Sequence, residues 1–226
     1  MNKKDVLAII EEIASDAFFK DYAIRKCDNT LILKSPSGYR LVHFNYYNTF
    51  DLERGDLALE IMPAYDIRFN ILHKWFEKYS KRNISDQRSD WSIAIVGEDF
   101  GRRSKYYFLE NRVDYEKDLH TLKAEVVRNA EYFFSKFSTL NDYYEYYVGG
   151  LLSNSYLPYG FYWAINYLIA TKVVRPSDYD LVKKAVLDRL EYFHSVGEPN
   201  VELYYDELPA ILEDLEQTDF QSGKWG

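Results

Sequence analysis

Cysteine is nearly absent. Cys27 stands alone among 226 residues, which rules out an internal disulfide and makes a reducing compartment the natural setting. Proline and glycine are sparse, with 6 and 10 residues, and no Gly/Ser-rich linker, low-complexity tract or internal repeat breaks the chain. The apolar stretch from Gly160 to Ala170 is about half the length a helix needs to cross a bilayer. The first residues, MNKKDVLAIIEEIASDAFF, set two lysines before an apolar run as a signal peptide does. Glu11 and Glu12 then interrupt that run, and no small-residue cleavage site follows. Leu7, Ile10, Ile13 or Ala14, and Ala17 instead make the stripe of an amphipathic helix. A soluble, cytoplasmic protein of bacterial type is expected.

Catalytic signatures are missing as well. No Gly-x-Ser-x-Gly elbow occurs, and Cys27 falls in an expected strand without the local partners of a reactive thiol. The four histidines are His43, His73, His120 and His194. A single Glu-x-x-His spacing, Glu191 to His194, puts both side chains on one helical face, whereas a di-iron bundle needs that motif twice plus two more glutamates. No metal and no cofactor is expected, and nothing marks the chain as an enzyme. His73 and Glu77, four apart, read as a hydrogen-bonded pair on a helix surface.

The loop GEDFGRRSK, from Gly97 to Lys105, comes nearest to a chemical motif. A phosphate-binding P-loop needs one more residue between its glycines, a lysine in place of arginine, and a helix to follow. Here the sequel, YYFL, reads as a strand. Arg102, Arg103 and Lys105, with His73, are the candidate residues for a phosphate, carboxylate or nucleotide, because guanidinium forks match such groups. Lys78, Lys81 and Arg82 end an expected helix and complement its dipole. Nucleic acid is not an expected partner, since residues 1–189 carry 27 basic and 27 acidic side chains and offer no net attraction.

What the chain does have is aromatic residues and a charged end. Tyrosine occurs 22 times, four of them within NDYYEYYVGG, residues 141–150. On an α-helical wheel Leu140, Tyr144, Tyr147, Val148 and Leu151 share one arc, which assigns Tyr144 and Tyr147 to a core, Tyr143 to its margin and Tyr146 to the outside. The helix near 159–171 is apolar on more than one side and is expected to be buried or to form a homodimer contact. Residues 190–223 hold nine acidic residues and no Lys or Arg, and they account for the net charge of −8. This end, with Tyr204, Tyr205, Glu202, Asp206, Glu207, Glu213 and Asp214, is the candidate surface for a basic protein partner.

The fold class follows from the periodicities. An N-terminal helix leads into an antiparallel meander: YAIRKC and TLILK around Asp28-Asn29, a turn at SPSG, then YRLVHFNYYNTF and LALEIM. Pro63 is expected to end the meander and Asp66 to cap a helix through Tyr79. KRNISDQRSD reads as a polar loop, and WSIAIVG with YYFL as a hairpin. From Asp114 the period becomes 3.6, with Leu119, Leu122, Val126, Ala130 and Phe133 or Phe134 inward, Ser138 as a cap, and Pro209 in the first turn of the last helix. The expected architecture is α+β, with about six strands and helices on one face of the sheet. Residues 1–113 form that part, and 114–226 form an all-α part ending in an acidic helix. The expected function is a non-enzymatic binding module of inhibitor or immunity type, with an anionic-ligand protein using Arg102 and Arg103 as the alternative.

Overall fold

The computed structural model describes residues 3–51, 55–96, 105–109, 114–153 and 160–222. In chain order the elements begin with α1 (Lys3–Ala14), β1 (Ala23–Arg25), β2 (Thr30–Ser35), β3 (Gly38–Asp51) and β4 (Asp56–Phe69). Next come α2 (Asn70–Lys74), α3 (Ile84–Ser89), β5 (Ile93–Val96), β6 (Tyr106–Leu109) and α4 (Tyr115–Lys136). The rest is helical: α5 (Leu140–Tyr143), a π-turn (Tyr144–Val148), α6 (Gly149–Leu152), α7 (Phe161–Val174), α8 (Tyr179–Ser195), α9 (Pro199–Tyr205) and α10 (Leu208–Gln217).

Two compact units result, both discontinuous in sequence. One joins Met1–Arg68 with Trp91–Lys136, the other Phe69–Asp90 with Phe137–Gly226. This division does not coincide with an expected boundary at 113/114. The physical reason is that α4 closes over the sheet, so it belongs to the first unit.

The first unit is an α+β layer. Its antiparallel sheet runs β1-β2-β3-β4, and β5 and β6 both pair with β4. The β1–β2 turn forms as expected. Asp28 accepts from Arg25 Nε at 2.8 Å and from Thr30 Oγ1 at 3.0 Å, and Asn29 takes a φ of 55°, a left-handed value that Asn tolerates. Ser35 pairs with Gly38 across Pro36 and Ser37. Pro63 does not end the meander. β4 pairs with β6 over Ala58–Ile61 and with β5 over Ala64–Ile67, and Pro63 stands between the two ladders, where that edge asks no donor of it. β5 and β6 therefore follow one another along a single edge of β4 in the same direction and are not the two arms of a hairpin.

Helices α1 and α4 cover this sheet. Val6, Ile9, Ile10 and Ile13 are buried, so the inward stripe of α1 is turned from the expected one and leaves Leu7 half-buried. Tyr65 of β4 meets Phe133 and Phe134 of α4 at ring distances of 6.3 and 6.5 Å. Each such fully buried side chain contributes about 1.5–3 kcal/mol.

The second unit is all helix, with α7 at its centre. Phe161 and every residue from Ala164 to Thr171 are buried, and α7 is packed by α2, α5, the π-turn, α8 and α9. An apolar circumference without a polar side is what such a position requires. The apolar surface of α7 is thus consumed within its own unit, leaving little of it for the expected homodimer contact.

The tyrosine run answers mainly to packing. Tyr143, Tyr144, Tyr147, Val148 and Leu151 are buried and Tyr146 is exposed. Tyr143 lies fully inside, and Leu140 takes the half-buried margin. The cause is the π-turn, which advances roughly 80° per residue against roughly 100° in an α-helix and so rotates the buried arc back toward Tyr143. Thr139, not Ser138, caps α5. Its hydroxyl accepts from the Asp142 amide while the Asp142 carboxylate accepts from the Thr139 amide, a reciprocal capping box. Asp66 caps nothing, because β4 continues to Phe69. The expected polar loop contains α3, whose Asn83 side chain accepts from the Asp86 amide. Pro209 does occupy the first turn of α10. Among the described residues no helix is long and apolar enough to cross a membrane.

Candidate functional site

The described residues include two of the four candidate anion-binding residues, one in each unit. Arg102 and Arg103 lie outside them. Lys105 belongs to the first unit, where its Nζ sits 3.3 Å from Glu60 of β4. His73 belongs to the second unit and is buried at the end of α2. Its Nδ1 is hydrogen-bonded to the Tyr162 hydroxyl of α7. His73 is thus buried and not on the expected helix surface. The helix is short and tightens into a 3-10 turn at Phe76–Lys78, which brings His73, Trp75 and Phe76 all inward.

Part of the acidic end is answered within its own unit, where Glu207, Asp214 and Glu216 each meet a lysine. Phe69–Asp90 brings five Lys and Arg against three acidic residues, and three of those cations are ion-paired. Lys78 Nζ lies 2.5 Å from Asp214, Lys81 Nζ 2.8 Å from Glu207, and Arg82 Nη1 2.7 Å from Asp90. Asp214 also accepts from the Tyr79 hydroxyl at 2.5 Å. Burial pushes the Tyr79 phenol up to about 12, and the Asp214 carboxylate adds to the shift. Further along, Glu216 is paired with Lys183. Lys172 Nζ donates to the carbonyls of Leu215 and Glu216 at 2.7 and 2.8 Å, which satisfies groups left open at the end of α10.

Tyr204 is not a surface residue. It is 6% exposed, its ring stacks on Phe161 at 5.0 Å, and its hydroxyl accepts from the Lys81 amide at 3.0 Å. Of the seven candidates for the partner surface, Tyr204, Glu207 and Asp214 are therefore committed internally. Glu213 is exposed and accepts only from Gln217, at 3.4 Å.

The remaining three, Glu202, Tyr205 and Asp206, share a face with the end of α8. The His194 ring stacks on Tyr205 with centroids 3.7 Å apart and planes 10° from parallel, and His194 Nδ1 contacts the Glu202 carboxylate. Glu191 lies one turn before His194 on α8, and Asp206 one turn after Glu202 on α9, so helical spacing lines the four up. Glu191, Glu202 and Asp206 are exposed. Tyr192 and Val196 expose apolar surface on the same stretch of α8, and Arg189 is folded over the rings of Tyr192 and Phe193 at 4.8 and 4.5 Å.

Two concavities stand near charged groups. In the first unit a trough of about 660 Å³ between α1 and α4 is lined by Glu12, Asp16, Glu116, His120 and Lys123, among others. Lys123 bridges it, 2.8 Å from Glu12 and 2.7 Å from Ser15 Oγ, and with that carboxylate holds the two helices together. In the second unit a smaller pocket of about 270 Å³ lies between Phe161, Tyr162, Trp163, Leu203 and Tyr204, with Ser80, Arg82, Gly160 and Asn200 on its walls. Gly160 has a φ of 96°, and a Cβ there would stand 3.6 Å from Asn200 Cβ.

Sequence reasoning missed a polar contact inside the sheet. His43 Nε2 of β3 lies 2.8 Å from Asp66 of β4, whose side chain is nearly buried. Alternation places His43 in a strand, but Asp66 reads as a helix cap, and the register between the two strands is a tertiary fact. Cys27 is exposed and free. Among the described residues no group of three or more His, Cys, Asp or Glu side chains is placed to hold a metal ion. In comparisons with known proteins, no family model matches the chain, no curated protein matches it, and no solved structure matches it.

Proposed function

We propose that the chain acts by association, as a binding module of inhibitor or immunity type, and that it docks a basic surface of a partner protein on the outer face of α8 and α9. The observation that carries this reading is the face formed by Glu191, His194, Glu202, Tyr205 and Asp206. Among the described residues no Lys or Arg forms an ion pair with those three carboxylates. Of the other six acidic groups of the same end, Asp214, Glu207 and Glu216 are answered by Lys78, Lys81 and Lys183. Carboxylates around a stacked aromatic centre complement a patch of Lys and Arg and accelerate encounter with it. Tyr204, Glu207, Asp214 and α7 have no part in the contact.

Affinity capture from a lysate of the source cells at low salt, with the wild-type chain beside the triple variant Glu191→Gln, Glu202→Gln, Asp206→Asn, tests the reading. The expected result is a basic protein retained by the wild type, released by salt, and lost from the triple variant. Equal recovery by the triple variant, or retention insensitive to salt, overturns it.

A further inference from the structure

We infer that the pocket of the second unit is a binding site for a small aromatic acid, a molecule of one or two fused rings carrying a carboxylate. The site is separate from the docking face and does not depend on it. Its walls come from three segments: Ser80 and Arg82 after α2, the first turn of α7, and α9.

The shape argues for a planar ring. Phe161, Tyr162, Trp163 and Tyr204 supply aromatic surface and Leu203 an aliphatic edge. The walls are fixed from behind: Tyr204 stacks on Phe161 and meets Phe76 edge-on at 5.6 Å, and buried His73 holds the Tyr162 hydroxyl. A preorganised aromatic cleft gains affinity because little is ordered on binding. Its volume of about 270 Å³ falls just below the range of drug-sized pockets, which limits the occupant to one or two rings.

The polar groups argue for an acid. Arg82 uses only Nη1 on Asp90, which receives it at 2.7 and 2.9 Å. Among the described residues its Nε and Nη2 have no partner, and Asp90 holds the guanidinium in one orientation. Tyr204 accepts from the Lys81 amide, and among the described residues its own proton has no protein acceptor. Arg82 and Tyr204 both line the same small space, and a carboxylate accepts from a guanidinium and a phenol alike. A cationic occupant would meet the guanidinium and is excluded. One turn beneath Tyr162 and Trp163 on α7, Asn166 is fully buried with neither amide atom paired.

Isothermal titration and thermal-shift measurements with benzoate, phenylacetate and indole-3-carboxylate test the assignment, with benzamide and cyclohexanecarboxylate as controls. The expected result is saturable binding of the aromatic acids at millimolar concentration or below. Benzamide should bind at least about tenfold more weakly, and Arg82→Gln should lose about tenfold in affinity for the acids. Leu203→Trp, a change at an exposed rim position that fills the pocket, should abolish binding without lowering the melting temperature, and it decides the matter if Arg82→Gln fails to fold. Absence of binding by all three acids, equal affinity for benzoate and benzamide, or unchanged binding by Leu203→Trp overturns the proposal.

Discussion

Asp214→Asn is the substitution that most directly probes how the acidic end is held. The carboxylate accepts from Tyr79 Oη and Lys78 Nζ, each at 2.5 Å. The ion pair is half exposed, with side-chain exposures of 51% and 37%, so screening limits it to about 0–1 kcal/mol. The phenol donates to a charged acceptor, a bond worth about 1.5–3 kcal/mol, and asparagine keeps a neutral version worth about 1 kcal/mol. The expected loss is therefore about 1–2 kcal/mol at neutral pH.

The pH dependence gives that loss a sign. Burial raises the Asp214 pKa, but hydrogen bonds from Lys78 and Tyr79 and the lysine charge outweigh it, and the carboxyl lies below its usual range. A depressed carboxyl contributes stability that is present above the unfolded pKa of about 3.9 and is lost as pH falls through the lower folded value. Urea unfolding of both proteins should show the full gap near pH 7 and a closing gap below about pH 4. Lys78→Met should cost less than Asp214→Asn, because it leaves the bond from Tyr79 intact. A variant as stable as the wild type at neutral pH, or a gap that persists undiminished in acid, refutes the assignment of Asp214 to an internal role.

Two further substitutions test local packing. Thr139→Ala removes the cap of α5 and should cost about 0.5–2 kcal/mol in denaturant unfolding, whereas Ser138→Ala, which loses only a 3.2 Å contact to the Asp142 side chain, should cost much less; equal losses would reject the capping box. Asn166→Leu exchanges a buried unpaired amide for an apolar side chain of the same branching and should raise stability by about 1–2 kcal/mol. A marked fall instead would show that the amide has a partner in solution.

Where local rules suffice, the sequence announces the structure. Asp28-Asn29 and Pro36-Ser37 mark turns by their own chemistry, the 3.6 period locates α4 and α8, and Pro209 starts α10. Errors fall where a distant partner overrides a local preference. Pro63 and Asp66 look like a strand end and a cap, yet β5 and β6 hold β4 extended on both sides of the proline. Asn83 and Asp86 carry a readable cap signal for α3, masked by the polar residues around it. The π-turn has no compositional signature at all, and it alone moves Tyr143 from the margin into the core.

Charge follows the same logic and decides which part of the acidic end is open. Counting along the chain treats nine carboxylates as one block, but ion pairs form across space. Tyr79 and Lys78 reach Asp214 from more than 130 positions away, and no spacing rule anticipates that. Glu191 with His194 and Glu202 with Asp206 differ because each pair stands at a helical interval of three or four, and the contact of His194 with Glu202 joins the two pairs. A folded protein minimises unanswered charge wherever a cation can be brought up at little cost. Carboxylates left together on an exposed face, while Glu207 and Asp214 nearby are neutralised from a distant segment, are therefore the informative ones. The proposed docking face rests on that contrast rather than on the net charge of −8.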